Sequence, residues 1–176
     1  MEKLELKHIV GYLPYNLKVL SGFGEYSEID SLYFSKDDHK RPSLNLMVSR
    51  FPKGFRGENF TDIKPILRPL SNLTKEIEVN GEKFIPLKRI VEIRSNTKEQ
   101  INYTFSEAIN CISVCYNYPS GINTVHDSIF IYKDNSMSEF GIQNVQYWII
   151  QKLYEWHFDI HGLISAGLAI DKNTLS

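Results

Sequence analysis

Cysteine is scarce in this 176-residue chain: Cys111 and Cys115 are the only two, and no further Cys or His completes a zinc-type spacing around them. A disulfide framework is thereby excluded, and two thiols in an apolar, strand-like segment are expected to be buried and unreactive. No apolar run approaches the ~20 residues that cross a bilayer. The opening MEKLELKHIVGYLPY mixes charges into its apolar pattern, unlike a signal peptide. A soluble, cytoplasmic protein without a membrane partner is the expectation. Loops that cradle nucleotides are missing, since neither GxxxxGKS/T nor GxGxxG occurs and the GFGE at Gly22 is followed by no helix. Nucleophile elbows of the GxSxG type and HExxH zinc motifs are absent too, and Asp37 with Asp38 lies in a polar, solvated loop. The sequence therefore assigns no catalytic residue, no metal and no cofactor, and the protein is not read as an enzyme. A net charge of -1 excludes a globally basic polyanion binder and an acidic nucleic-acid mimic alike.

What the chain does have is a globular composition, with 42% hydrophobic and 23% charged residues, enough to bury a core of its own. Ten Tyr, ten Phe and two Trp are large amphipathic rings suited to cores and to binding surfaces. Charge is segregated: Lys36 to Arg68 carries eight Lys or Arg against four acids, whereas Asp134 to Asp171 carries five acids against Lys152 alone. Within the basic part, RFPKGFRGENF spaces Arg50, Lys53 and Arg56 at three-residue intervals among Phe51, Phe55 and Phe60. Cations hold phosphates and ring faces stack on bases, and the same groups anchor protein interfaces. Arg50, Phe51, Lys53, Phe55 and Arg56 are thus the candidate contacts for a protein partner or for nucleic acid. An anchored loop, with the rings in the core and the cations in water, is the structural alternative.

Local patterning gives an α+β reading. Leu4, Leu6, Ile9, Val10 and Leu13 suggest a short amphipathic helix stopped near Gly11 and Pro14. LKVLS and SLNLMVSRF read as strands, and Pro52, Gly54 and Gly57 turn the basic stretch into a loop. Asn80-Gly81 between EIEV and EKFI predicts a hairpin with a type I′ turn, and Pro86 starts a short helix carrying Leu87, Ile90 and Val91. NCISVCYNY and SIFIYK read as further strands. Val145, Trp148, Ile149, Leu153, Trp156, Ile160 and Leu163 recur at helical spacing, which predicts one long C-terminal helix capped at Gly162, its acidic face a second candidate surface. His157 and His161, four apart on that helix, read first as helix-end histidines that pack against neighbours or favour the negative end of the helix dipole; a metal would need a third ligand such as His126 or Asp159, and Asp159 projects about 160° away from either on an ideal helix. The fold expected is one α+β domain over 1–176, a mainly antiparallel sheet packed against the long helix.

Three blocks carry a resemblance: HIVGYLPYNLKV at the start, PILRPLSNLTKEIEVNGEKFIPL in the centre and YEWHFDIHGLISAGLAIDKNTL at the end. In this order they resemble a family of small proteins encoded by phages and prophages of Bacteroidota, which has no assigned activity. The resemblance implies a genomic context in which small accessory proteins act by stoichiometric binding. An anti-CRISPR protein, bound to a CRISPR-associated nuclease or its guide-RNA complex in the host cytoplasm, is the partner reading it implies. A phage nucleic-acid-binding accessory protein is the competing one.

Overall fold

The computed structural model describes residues 3–22, 24–36, 42–50, 54–96, 101–107, 111–120, 123–132 and 146–175. In chain order the strands are β1 (Lys18–Leu20), β2 (Tyr26–Lys36), β3 (Pro42–Arg50), β4 (Gly54–Asn59), β5 (Lys64–Leu67), β6 (Ile77–Val79), β7 (Glu82–Phe84), β8 (Asn102–Glu107), β9 (Cys111–Ser120), β10 (Asn123–Tyr132) and β11 (Ile170–Asp171). Among the described residues two α-helices, α1 (Pro86–Ser95) and α2 (Tyr147–Glu155), complete an α+β chain whose sheets are mostly antiparallel. Residues that the sequence reads as one domain form two compact units, Met1–Pro69 with Leu153–Ser176, and Leu70–Lys152, so the division falls inside α2. Among the described residues, no helix is long and apolar enough to cross a membrane.

The first unit is built on a six-stranded sheet in the order β11-β5-β1-β2-β3-β4. β5 lies between β1, which it pairs antiparallel, and β11, its one parallel neighbour. Flanked on both sides, β5 buries Pro65, Ile66 and Leu67 in succession, as expected of a strand with neighbours on either edge. β2 and β3 pair along most of their length, with a bulge between Ile29 and Ser31. Against this sheet lie two 3-10 turns, Leu6–His8 and Val10–Tyr15, where the sequence predicts an amphipathic helix. Pro14 sits inside the second turn, and the chain leaves it through Asn16 in the left-handed region at φ 54°. Leu4, Ile9, Tyr12, Leu17, Val19, Ile29, Phe60, Ile63, Leu67, Leu163 and Ala169 form the core of this unit. Each large side chain fully buried there contributes roughly 1.5–3 kcal/mol.

In the second unit the predicted hairpin is present: β6 pairs antiparallel with β7, and Asn80 and Gly81 take φ of 51° and 82°, the two positive angles a type I′ turn needs. Pro86 opens α1, Leu87, Ile90 and Val91 are buried, and Asn96 ends the helix in the left-handed conformation. Arg89 ties helix to hairpin: both of its terminal nitrogens donate to the Glu82 carboxylate, Glu92 lies 3.4 Å from its Nε, and its guanidinium stands 4.8 Å above the Phe84 ring. β8, β9 and β10 form an antiparallel meander. Alternation along β9 buries Val114 and Tyr116 and leaves Cys115 exposed, which corrects the expectation that this thiol is buried.

The long C-terminal helix is corrected as well. α2 stops at Glu155, and the next residues close a Schellman turn: the Phe158 N–H donates to Leu153 O at 2.8 Å and the His157 N–H to Tyr154 O at 3.0 Å, with His157 at φ 58°. A second turn of the same kind follows, with Leu168 N–H on Leu163 O, Gly167 N–H on Ile164 O, and Gly167 at φ 72°. Trp156, Ile160 and Leu163 are all buried, so the apolar spacing marks contact with a core and the backbone between them is not helical. Gly162 also has a positive φ, but the residue that ends α2 in this conformation is His157.

Candidate functional site

Up to Asn59, the described residues of the basic-aromatic stretch lie on paired strands, here called the β3–β4 hairpin, where the sequence predicts a loop. β3 pairs antiparallel with β4 so that Arg50 stands opposite Gly54, Ser49 opposite Phe55 and Val48 opposite Arg56. Glycine weakens a strand without forbidding it, and here Gly54 and Gly57 sit at ladder positions of the sheet's terminal strand. Arg50 and Arg56 occupy register positions two residues apart, while Phe51 and Lys53 lie outside the described residues. Phe60, directly after β4, is 4% exposed and belongs to the core. Of the three phenylalanines in the stretch, one is thus an anchor at the foot of the hairpin.

A second constellation joins the 3-10 turns to the chain beyond α2. The Tyr12 hydroxyl, fully buried, donates to Phe158 O at 2.6 Å, and its ring meets Tyr154 edge-on at 4.7 Å between centroids. Gly11 is required beside it, since a Cβ there would fall 2.2 Å from the Tyr154 ring. His157 Nε2 lies 2.8 Å from Tyr15 O; a carbonyl only accepts, so Nε2 carries the proton and Nδ1 is bare. His8 and His161 face one another with centroids 5.5 Å apart. The Tyr154 hydroxyl is 3.3 Å from His161 Nε2, and His8 Nδ1 accepts from the Glu5 N–H. Underneath, Arg68 exchanges backbone bonds with His157 and Asp159 and donates from Nε to Trp156 O. The Asp159 carboxylate accepts from the Leu163 and Ile164 N–H groups at 2.8 Å each, nucleating the second turn.

Burial dominates the electrostatics of this constellation. It holds His157 down at about 4, with Lys172, Arg68 and Lys18 adding to the effect and the Tyr15 carbonyl opposing it. His161 is lowered chiefly by burial and then by His8. Tyr12 is raised well above its ordinary value by burial and by the nearby Asp159 charge, and burial lowers Arg68.

The geometry that would let His157 and His161 grip a metal from adjacent helical turns is not present. Both lie beyond the end of α2, and the Nε2–H of His157 is committed to Tyr15 O. Among the described residues, no three His, Cys, Asp or Glu side chains are arranged to hold an ion. The acidic helix face is corrected in the same way: Asp159 is off the helix, 7% exposed, and engaged in capping. His8, Tyr12 and Tyr154 escaped the sequence reading, because nothing in their spacing signals a contact made across 146 residues. The chain matches no family model, no curated protein and no solved structure.

Proposed function

We propose that this protein acts by stoichiometric binding through the β3–β4 hairpin, with Arg50, Phe55 and Arg56 on the strands and Phe51 and Lys53 beside them in sequence as contacts. The reading is carried by one observation: the basic-aromatic stretch is organised as the terminal hairpin of the six-stranded sheet, with two arginines at neighbouring register positions. A terminal strand presents backbone donors and acceptors along one side, and cations there supply charge and direction to an approaching partner. Burial of Phe60 anchors the hairpin's base, as a rigid grip requires.

The partner class follows from the resemblance: a host RNA-guided defence nuclease, or its complex with guide RNA, inhibited in the host cytoplasm. Two of the three blocks behind that resemblance contain Tyr12 and Phe158, which bond to each other inside the first unit. Those blocks encode folding, and the hairpin between them is where a partner-specific surface belongs. A second reading, direct binding of single-stranded nucleic acid, draws on the same alternation of cations and rings.

Affinity capture of the tagged protein from a Bacteroidota host lysate, with and without nuclease digestion, tests both readings. A nuclease subunit retained after digestion, and lost with Arg50→Ala/Arg56→Ala, supports inhibition by protein contact. Loss of all partners on digestion, with affinity for a synthetic single strand that falls steeply with salt, supports the nucleic-acid reading. Capture that is identical for the wild type and the double variant overturns the hairpin assignment.

A further inference from the structure

We propose that the junction between the 3-10 turns and the chain beyond α2 is a proton-operated clasp: His157 and His161 hold it shut as neutral imidazoles, and their protonation frees residues 6–15. This goes beyond the binding reading and does not depend on it.

The geometry is that of a fastening made almost wholly by side chains. Backbone bonds hold each 3-10 turn to itself, whereas the far segment is joined by apolar packing of Ile9 and Tyr12 in one core with Leu163, and by the polar and ring links of Tyr12 to Phe158 O, His157 to Tyr15 O, and the His8, Tyr154 and His161 rings. At His157 the donated Nε2 proton leaves Nδ1 as the only place for another, and taking it creates a buried imidazolium. The charges around it oppose that step, since Lys172, Arg68 and Lys18 are all cationic; Tyr12, the other titratable ring at 6.5 Å, is neutral throughout the acid range. At His161 the surroundings are mixed: His8 and Lys7 oppose a positive charge, Asp159 favours it, and the Tyr154 hydroxyl can donate or accept.

The sign follows from proton counting. Closed, His157 stays neutral down to about 4; released into water, an imidazole takes a proton near 6.5. The open form binds more protons throughout that interval, so the clasp is fully favoured above its upper end and weakens as pH falls through it. His161, lowered in the same direction, adds to the effect. Because His157 is the left-handed residue of the Schellman turn, losing its bond also releases a strained backbone position.

The test is amide hydrogen exchange of the intact chain, corrected for intrinsic rates, comparing residues 6–15 with β5. Between pH 7.5 and pH 5 the opening constant of 6–15 should rise by about thirtyfold while β5 changes little. His157→Asn keeps a residue tolerant of positive φ but removes the titration, and should flatten most of that rise. Equal pH dependence in wild type and variant overturns the proposal, as does a rise shared equally by β5. Should the variant fail to fold, the wild-type His157 Cε1–H proton resonance decides: titration below pH 5 supports the clasp, and titration near 6.5 overturns it.

Discussion

The two ends of the first unit and the β6–β7–α1 segment of the second are put together on opposite principles. In the second unit each element announces itself locally: Asn80-Gly81 makes its turn, Pro86 opens the helix, Asn96 closes it, and Arg89 reaches only seven residues back to Glu82. At the junction of Tyr12, His157 and Phe158 almost nothing is local, and the elements joined are 3-10 turns and reversals with little intrinsic preference for their conformation. The difference teaches that this chain places its longest-range side-chain contacts where regular structure is poorest. There, single atoms in the right place do what ladders do elsewhere.

Three substitutions break or sharpen that contrast. The largest effect is expected at Gly11, where a methyl group would collide with a Tyr154 ring already wedged against Tyr12 and His161. Gly11→Ala should cost about 3 kcal/mol, seen as a lower urea midpoint when unfolding is followed by the fluorescence of buried Trp156. Asp159→Ala comes next, at about 2 kcal/mol in the same measurement, because a buried N–H at Leu163 and a part-buried one at Ile164 lose their acceptor. Smallest is Arg89→Ala: its bonds to Glu82 are solvent-exposed, and the loss should stay below about 1 kcal/mol, read from exchange protection of the α1 amides. An Arg89 effect exceeding that of Gly11 would reverse the ranking and, with it, the contrast.

The same contrast explains what the sequence made legible. The hairpin at Asn80-Gly81, the helix from Pro86, β1, β3 and the strands around Cys115 follow from turn chemistry and alternation, and so does the α+β class. β2 escaped a clean period because the bulge between Ile29 and Ser31 shifts which residues face inward along the strand. β5 was hidden by Pro65, which argues against a strand with neighbours on both sides. Of the C-terminal stripe, Val145 lies outside the described residues, Trp148 is half-buried, and Ile149, Leu153, Trp156, Ile160 and Leu163 are core residues as read. The stripe misassigned the backbone of the last three because a Schellman turn with histidine in the position usually held by glycine has no composition signal. Of the candidate site, the arginines and phenylalanines of the hairpin stand out in the sequence although Pro52, Gly54 and Gly57 predict a loop there, and His157 and His161 do pack against neighbours as read, but beyond the helix end.

The Tyr12 hydroxyl and its acceptor at Phe158 are separated by 146 residues. During synthesis at ~5–20 residues per second, Tyr12 is added roughly 7 to 30 s before the carbonyl it binds exists. The clasp therefore closes late on a newly made chain, as does the pairing of β11 with β5. For that interval the Tyr12 hydroxyl lacks the acceptor it has in the folded chain.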